Sequence, residues 1–211
     1  MLEELLVNNI WLVILLWIVL YISDYQLTIV SARRYQTVGE KYLSVEGSFE
    51  LTPFYERDVD ALRRFSPRLL AVLALQCLLI LFAWTLSKEW GGEPVFFWIL
   101  GAFFLLEVVI HIRHLRNLVT YHYFGQGEAL WGKLDRSRWL VLRLSAVDLI
   151  GYAAIFLLVF LLTGSWFFVG GVTSCLVTAA KHWHQANKAR SAQPKPSESS
   201  MAVDEQSEPQ A

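Results

Sequence analysis

Five apolar runs punctuate an otherwise charged chain: Ile10–Val30, Leu69–Leu86, Val95–Ile112, Trp139–Leu162 and Trp166–Ala180. The first four match the roughly 20 residues that a helix needs to cross a hydrocarbon core. None alternates with period two, so the pattern predicts membrane helices rather than the strands of a barrel. The fifth run is shorter and rich in small residues. Pro67 and Pro94 stand just ahead of the second and third runs, where the first turn of a helix tolerates them. Trp84, Trp90, Trp98, Trp139 and Trp166 lie near run ends, as interfacial anchors do. The fold class expected is therefore an all-α bundle of five transmembrane helices. It forms one membrane domain over residues 1–190. A tail rich in Ser, Pro, Glu and Gln follows over 191–211; it has too little apolar surface to fold and is expected to be disordered.

Charge sets the orientation. Lys and Arg number none before the first run, seven in Ser31–Arg68, one in Ser87–Pro94, six in Arg113–Arg143, none in Thr163–Ser165 and four from Lys181 onward. That alternation follows the positive-inside rule at every connection. It predicts the N-terminus outside, the C-terminus in the cytoplasm, and cytoplasmic loops over 31–68 and 113–138. The first run is read as an uncleaved anchor, because Met1–Asn9 carries two Glu and no basic residue and the run exceeds a signal-peptide core. The plasma (inner) membrane is the expected location and the lipid bilayer the expected partner.

Composition adds little beyond this. The chain is 55% hydrophobic with a net charge of −1, which offers nothing to nucleic acid. Cys77 and Cys175 both fall inside apolar runs, so no structural disulfide is expected. The loop stretch Arg57–Phe65 spaces Val59, Leu62 and Phe65 three apart. It reads either as a short amphipathic helix at the interface or as a charged lead-in to the second span. Gly125-Gln126-Gly127 lacks the third glycine of a dinucleotide fingerprint and follows no strand, so it reads as a turn; Trp131 beyond it is a candidate interfacial residue. Gly170, Gly171 and Ser174 permit close helix contact, within the bundle or with a second copy or another membrane protein. The cytoplasmic loops offer another surface for a partner.

The candidate chemistry lies inside the spans. Glu107, His111 and His114 share one face of the third span at spacing i, i+4, i+7. Asp24 lies about 13 Å from the cytoplasmic end of the first span, Glu107 about the same depth in the third, and Asp148 about 15 Å into the fourth, at 1.5 Å per residue. Three carboxylates thus sit at one level, with Arg143, and with Arg113 as a second candidate, to neutralise them. Charges at that depth are expensive and must face the interior. The cluster Asp24, Glu107, His111, Arg143 and Asp148 reads as a paired structural network, as a proton or cation path, or as a metal site. Glu107, His111 and His114 would be ligands to a divalent transition metal. Haem would need His111 with His182 or His184, which otherwise read as interfacial cations near a helix C-terminus. No catalytic motif accompanies the cluster. The sequence therefore favours a non-enzymatic accessory or scaffold subunit. The alternatives are an oligomeric ion, proton or small-solute conduit and a metal-dependent membrane enzyme or redox subunit.

Overall fold

The computed structural model describes residues 2–45, 54–126 and 132–192. Its elements run α1 (Leu2–Asn8), α2 (Ile10–Thr37), a single 3-10 turn (Gly39–Lys41), β1 (Leu43–Val45), α3 (Glu56–Asp60), α4 (Pro67–Trp90), α5 (Glu93–Gln126), β2 (Leu134–Arg136), α6 (Arg138–Thr163) and α7 (Trp166–Ala192). Among the described residues four helices, α2, α4, α5 and α6, are long and apolar enough to cross a membrane. The fifth expected span falls in the first half of α7, which is equally long but more polar in its second half. Only 22–33% of each apolar window is buried. Leu161 and Leu162 on α6 are 70% and 79% exposed, and Leu75, Leu78 and Phe82 line the outside of α4. Helices apolar on the outer face as well as the inner one fit a lipid solvent.

Local chemistry sets the helix ends. Ser66 caps α4, accepting from the Arg68 amide at 3.2 Å, with Pro67 at the first helical position. Gly91 ends α4 and Gly164 ends α6, both at φ 68°, a left-handed conformation that a side chain would resist. The α4–α5 and α6–α7 turns are consequently two residues each. Near the first of these turns α1 is tied down: Trp84 Nε1 donates to Val7 O at 2.7 Å and Lys88 Nζ to Asn8 Oδ1 at 3.0 Å.

Helices α5 and α7 approach closely because glycine faces backbone on both sides. A Cβ on Gly101 would lie 1.6 Å from Phe167 O, and one on Gly170 1.9 Å from Trp98 O. The small residues of the fifth run, Gly170 and Gly171, are thus spent inside the bundle, against α5 and the side chains of Leu105 and Phe156. Around α2, Trp17 packs on Phe103 and Phe104, with ring centroids 5.1 and 5.4 Å apart. Phe96, Phe97 and Leu100 complete that core toward the short turns.

At the opposite, basic end the helices outrun their apolar stretches. Helix α5 continues through Gln126, fourteen residues past Ile112, so Gly125 and Gln126 are helical rather than a turn. The extension is held by an aromatic cluster of Tyr35, Tyr121 and Phe124, against which Tyr42 also packs. Gly39 lets the chain pass: a Cβ there would meet the Tyr35 ring at 2.8 Å. Next to this cluster β1 and β2 pair in parallel, Leu43 with Leu134 and Val45 with Arg136. The two basic connections are therefore joined to each other.

Of the two readings of Arg57–Phe65, the amphipathic helix is not the one that forms. Helix α3 is only five residues long, and Leu62 adopts φ 50°, which breaks the turn. Asp58 is buried, accepting from Ser66 Oγ at 2.5 Å and pairing with Arg63 at 3.2 Å. Tyr25 Oη donates to Arg63 O at 2.8 Å, and Tyr21 and Tyr55 hydroxyls meet at 2.8 Å. Polar bonds to α2 outweigh the weak three-residue apolar periodicity; Val59 is buried but Phe65 is 74% exposed. Gly47, Gly127, Trp131 and the tail from residue 193 lie outside the described residues.

Candidate functional site

A cavity of about 380 Å³ opens among α2, α5, α6 and α7 toward the basic end, beneath β1, β2 and α3. Helix α2 turns Tyr21, Asp24, Tyr25 and Thr28 to it, two successive turns of a single face. Helix α5 contributes Glu107, His114 and Arg116, and α6 contributes Ser145 and Asp148. Arg136 reaches in from β2.

Three side chains converge beside the cavity, of which Asp24 and Glu107 line it. Ligand atoms of Asp24, Glu107 and His111 all lie within 4.8 Å of one another. Glu107 and His111 are one helical turn apart on α5, and α2 packs on that face to bring Asp24 across. Glu107 is buried, and among the described residues its Oε2 lacks a hydrogen-bond partner. Asp24 Oδ1 is approached to 3.2 Å by His114 Nε2, which also lies 3.0 Å from Thr28 Oγ1. Thr28 gives its own proton to Asp24 O at 3.1 Å, so the proton between Thr28 and His114 belongs to the imidazole.

Hydrogen-bond accounting also orients His111. Its Nδ1 lies 2.7 Å from Glu107 O, a carbonyl that only accepts, so Nδ1 carries a proton. Nε2 is then the atom turned to Ser23 Oγ, at 2.8 Å. Ser23 Oγ also lies 2.8 Å from Leu20 O, a second acceptor for its single proton. A cation taking Nε2 would leave Ser23 satisfied by Leu20. An Nδ1–H held by a backbone carbonyl, which leaves Nε2 as the ligand atom, is an arrangement common to metal-binding histidines.

The remaining expected residues separate. Asp148 lines the same cavity but pairs with Arg116, Nη1 to Oδ2 3.2 Å, on the half-exposed side. Arg143 turns to α7: its guanidinium stacks 3.9 Å from the Trp183 ring centroid and Nη2 donates to Asn187 Oδ1 at 2.7 Å. Arg116 thus takes the position opposite Asp148 that spacing within α6 assigned to Arg143. His182 is buried, with Nδ1 2.8 Å from Ser145 Oγ, whereas His184 is exposed. Ser145 was legible on the face of Asp148. Sequence reasoning missed Ser23, Tyr55 and Arg136; Tyr55 and Arg136 arrive from loops whose course only the fold sets.

A helical bundle with four apolar candidate spans fits a multi-pass integral membrane protein. The chain matches no protein-family model, and no curated protein or solved structure resembles it significantly.

Proposed function

We propose that this is a five-span membrane protein, with its C-terminus in the cytoplasm, built around a divalent transition-metal ion held by Asp24, Glu107 and His111. The carrying observation is a buried carboxylate oxygen, Glu107 Oε2, without a hydrogen-bond partner in a group whose ligand atoms lie within 4.8 Å of one another. Two carboxylates and an imidazole suit zinc, manganese or iron. Three protein ligands leave positions free, and Asp24 and Glu107 both line the cavity, so those positions would open into it. That is the layout of a catalytic rather than a structural centre. The favoured role is accordingly a metal-dependent membrane enzyme whose cavity faces the cytoplasmic side.

The scaffold reading asks for a network that satisfies itself, and the unpartnered Glu107 Oε2 weighs against it. The conduit reading asks for a polar path through the bundle. The aromatic packing of Trp17, Phe103 and Phe104 below the cavity weighs against that.

Elemental analysis of protein purified in mild detergent, without chelator or histidine tag, tests the proposal. Near-stoichiometric zinc, manganese, iron or copper is expected in the wild type and is lost in Glu107→Gln and His111→Ala. Metal retained at the wild-type level in both variants would refute this ligand set, and a metal-free, well-folded wild type would refute the centre.

A further inference from the structure

The cavity has two unlike ends. Its inner wall holds the carboxylates Asp24 and Glu107, and its mouth is ringed by guanidiniums from two elements, Arg113 and Arg116 on α5 and Arg136 on β2. Arg136 is half-buried, and its side chain makes no hydrogen bond or ion pair among the described residues. Three carboxylates, counting Asp148, stand against three arginines. A divalent cation on the inner wall would leave the lining with a surplus of two positive charges. Such a cavity, in a low-dielectric surrounding, selects an anion. Arginine forks match the oxygens of phosphate and carboxylate.

Beside its polar groups the lining carries apolar side chains, among them Ile110 on α5 and Val141 and Leu144 on α6. Leu144 both lines the cavity and is 48% exposed, which sets the cavity wall close to the bundle surface there. Leu144 lies six residues into α6, about 9 Å along the helix from Arg138. That places this approach to the surface within the apolar run rather than at its end. Here α2 and α6 both turn polar residues inward and face one another across the cavity. A soluble anion needs no such approach to lipid; a molecule with a charged head and an apolar chain does.

We propose that this cavity binds the phosphate-type headgroup of an anionic amphiphile, with the chain leaving past Leu144 into lipid. The headgroup would lie between Arg136 and the metal, and Arg116 would exchange part of its contact with Asp148 for it. The inference rests on the metal reading, because the surplus of positive charge includes the cation.

Native mass spectrometry of delipidated protein, with metal content measured on the same samples, provides the test. Dioleoyl phosphatidylglycerol and dioleoyl phosphatidylcholine are titrated separately, and inorganic phosphate in parallel. The wild type should favour phosphatidylglycerol by roughly tenfold, the scale of one charge-assisted contact. Arg136→Ala should bring the two lipids to near parity while keeping its metal, and Arg136→Lys should restore part of the preference. Arg136 contributes only its backbone to the strand pair, so the variant should fold, and retained metal verifies it. Equal binding of the two lipids by metal-loaded wild type would overturn this inference and leave the metal centre standing. Inorganic phosphate binding as tightly as the lipid would also overturn it, assigning the mouth to a soluble anion. A metal-free wild type would remove the cation and the inference with it.

Discussion

Glu107→Gln separates a metal centre from a structural network by the sign of its effect. The substitution keeps the shape of the side chain and removes one charge. At an effective dielectric constant of about 20, two unit charges 4.8 Å apart repel by about 3.5 kcal/mol. A separation shorter than 4.8 Å raises this figure, and water screening at Asp24, whose side chain is 19% exposed, lowers it. A bound cation reverses the balance: at a concentration a hundred times its Kd it stabilises the folded state by about 2.7 kcal/mol. With chelator present, the variant should therefore melt above the wild type. With micromolar zinc or manganese the order should invert, because the variant has lost a ligand. For a chain of this size each kcal/mol moves Tm by about 2–4 °C, so the crossing is several degrees wide. Thermal unfolding in detergent, followed by tryptophan fluorescence with and without chelator, measures it. A wild-type Tm that moves with neither chelator nor added metal, and a variant that never crosses it, would refute the reasoning.

Other substitutions probe the parts separately. Gly170→Leu should destabilise the fold by about 1–3 kcal/mol or more, because its Cβ would press on Trp98 O and drive α5 from α7; detergent melting reads this. Ser66→Ala removes both the α4 cap and a buried bond to Asp58, a loss of about 1–2 kcal/mol by the same assay. Arg143→Ala should cost only about 1 kcal/mol, from its stacking on Trp183, and leave metal content unchanged by elemental analysis. Asp148→Asn, which breaks a partly exposed pair with Arg116, should move Tm by less than about 1 kcal/mol in equivalent stability and likewise keep the metal.

The apolar runs and the depth of the polar residues were legible because both are one-dimensional. Hydropathy marks where α2, α4, α5 and α6 run, and 1.5 Å per residue levels Asp24 with Glu107 without knowledge of packing. Glu107 and His111 share a face by helix period alone. The basic extension of α5 was hidden because residues 113–126 carry no hydropathy signal; it is helical because Tyr121 and Phe124 find Tyr35 and Tyr42 across the bundle. The pairing of β1 with β2 was hidden too, since each strand is three residues long and its partner lies some ninety positions away.

What the chain alone determined was which segments are apolar, how long they are, and which ionisable groups lie within them, since each follows from local composition and a fixed helical rise. Partnership required the fold. Arg143 and Arg116 were equally available to Asp148 by charge and depth. The rotation of α6 against α7 gives Arg143 to Trp183 and Asn187, and leaves Asp148 to the helix on its other side. In the same way His111 rather than His114 joins the two carboxylates, because α2 crosses α5 where Ser23 and Asp24 meet its upper turn. Helix rotation and crossing are set by side-chain packing, here by glycines that let two backbones touch, and no count along the sequence contains them.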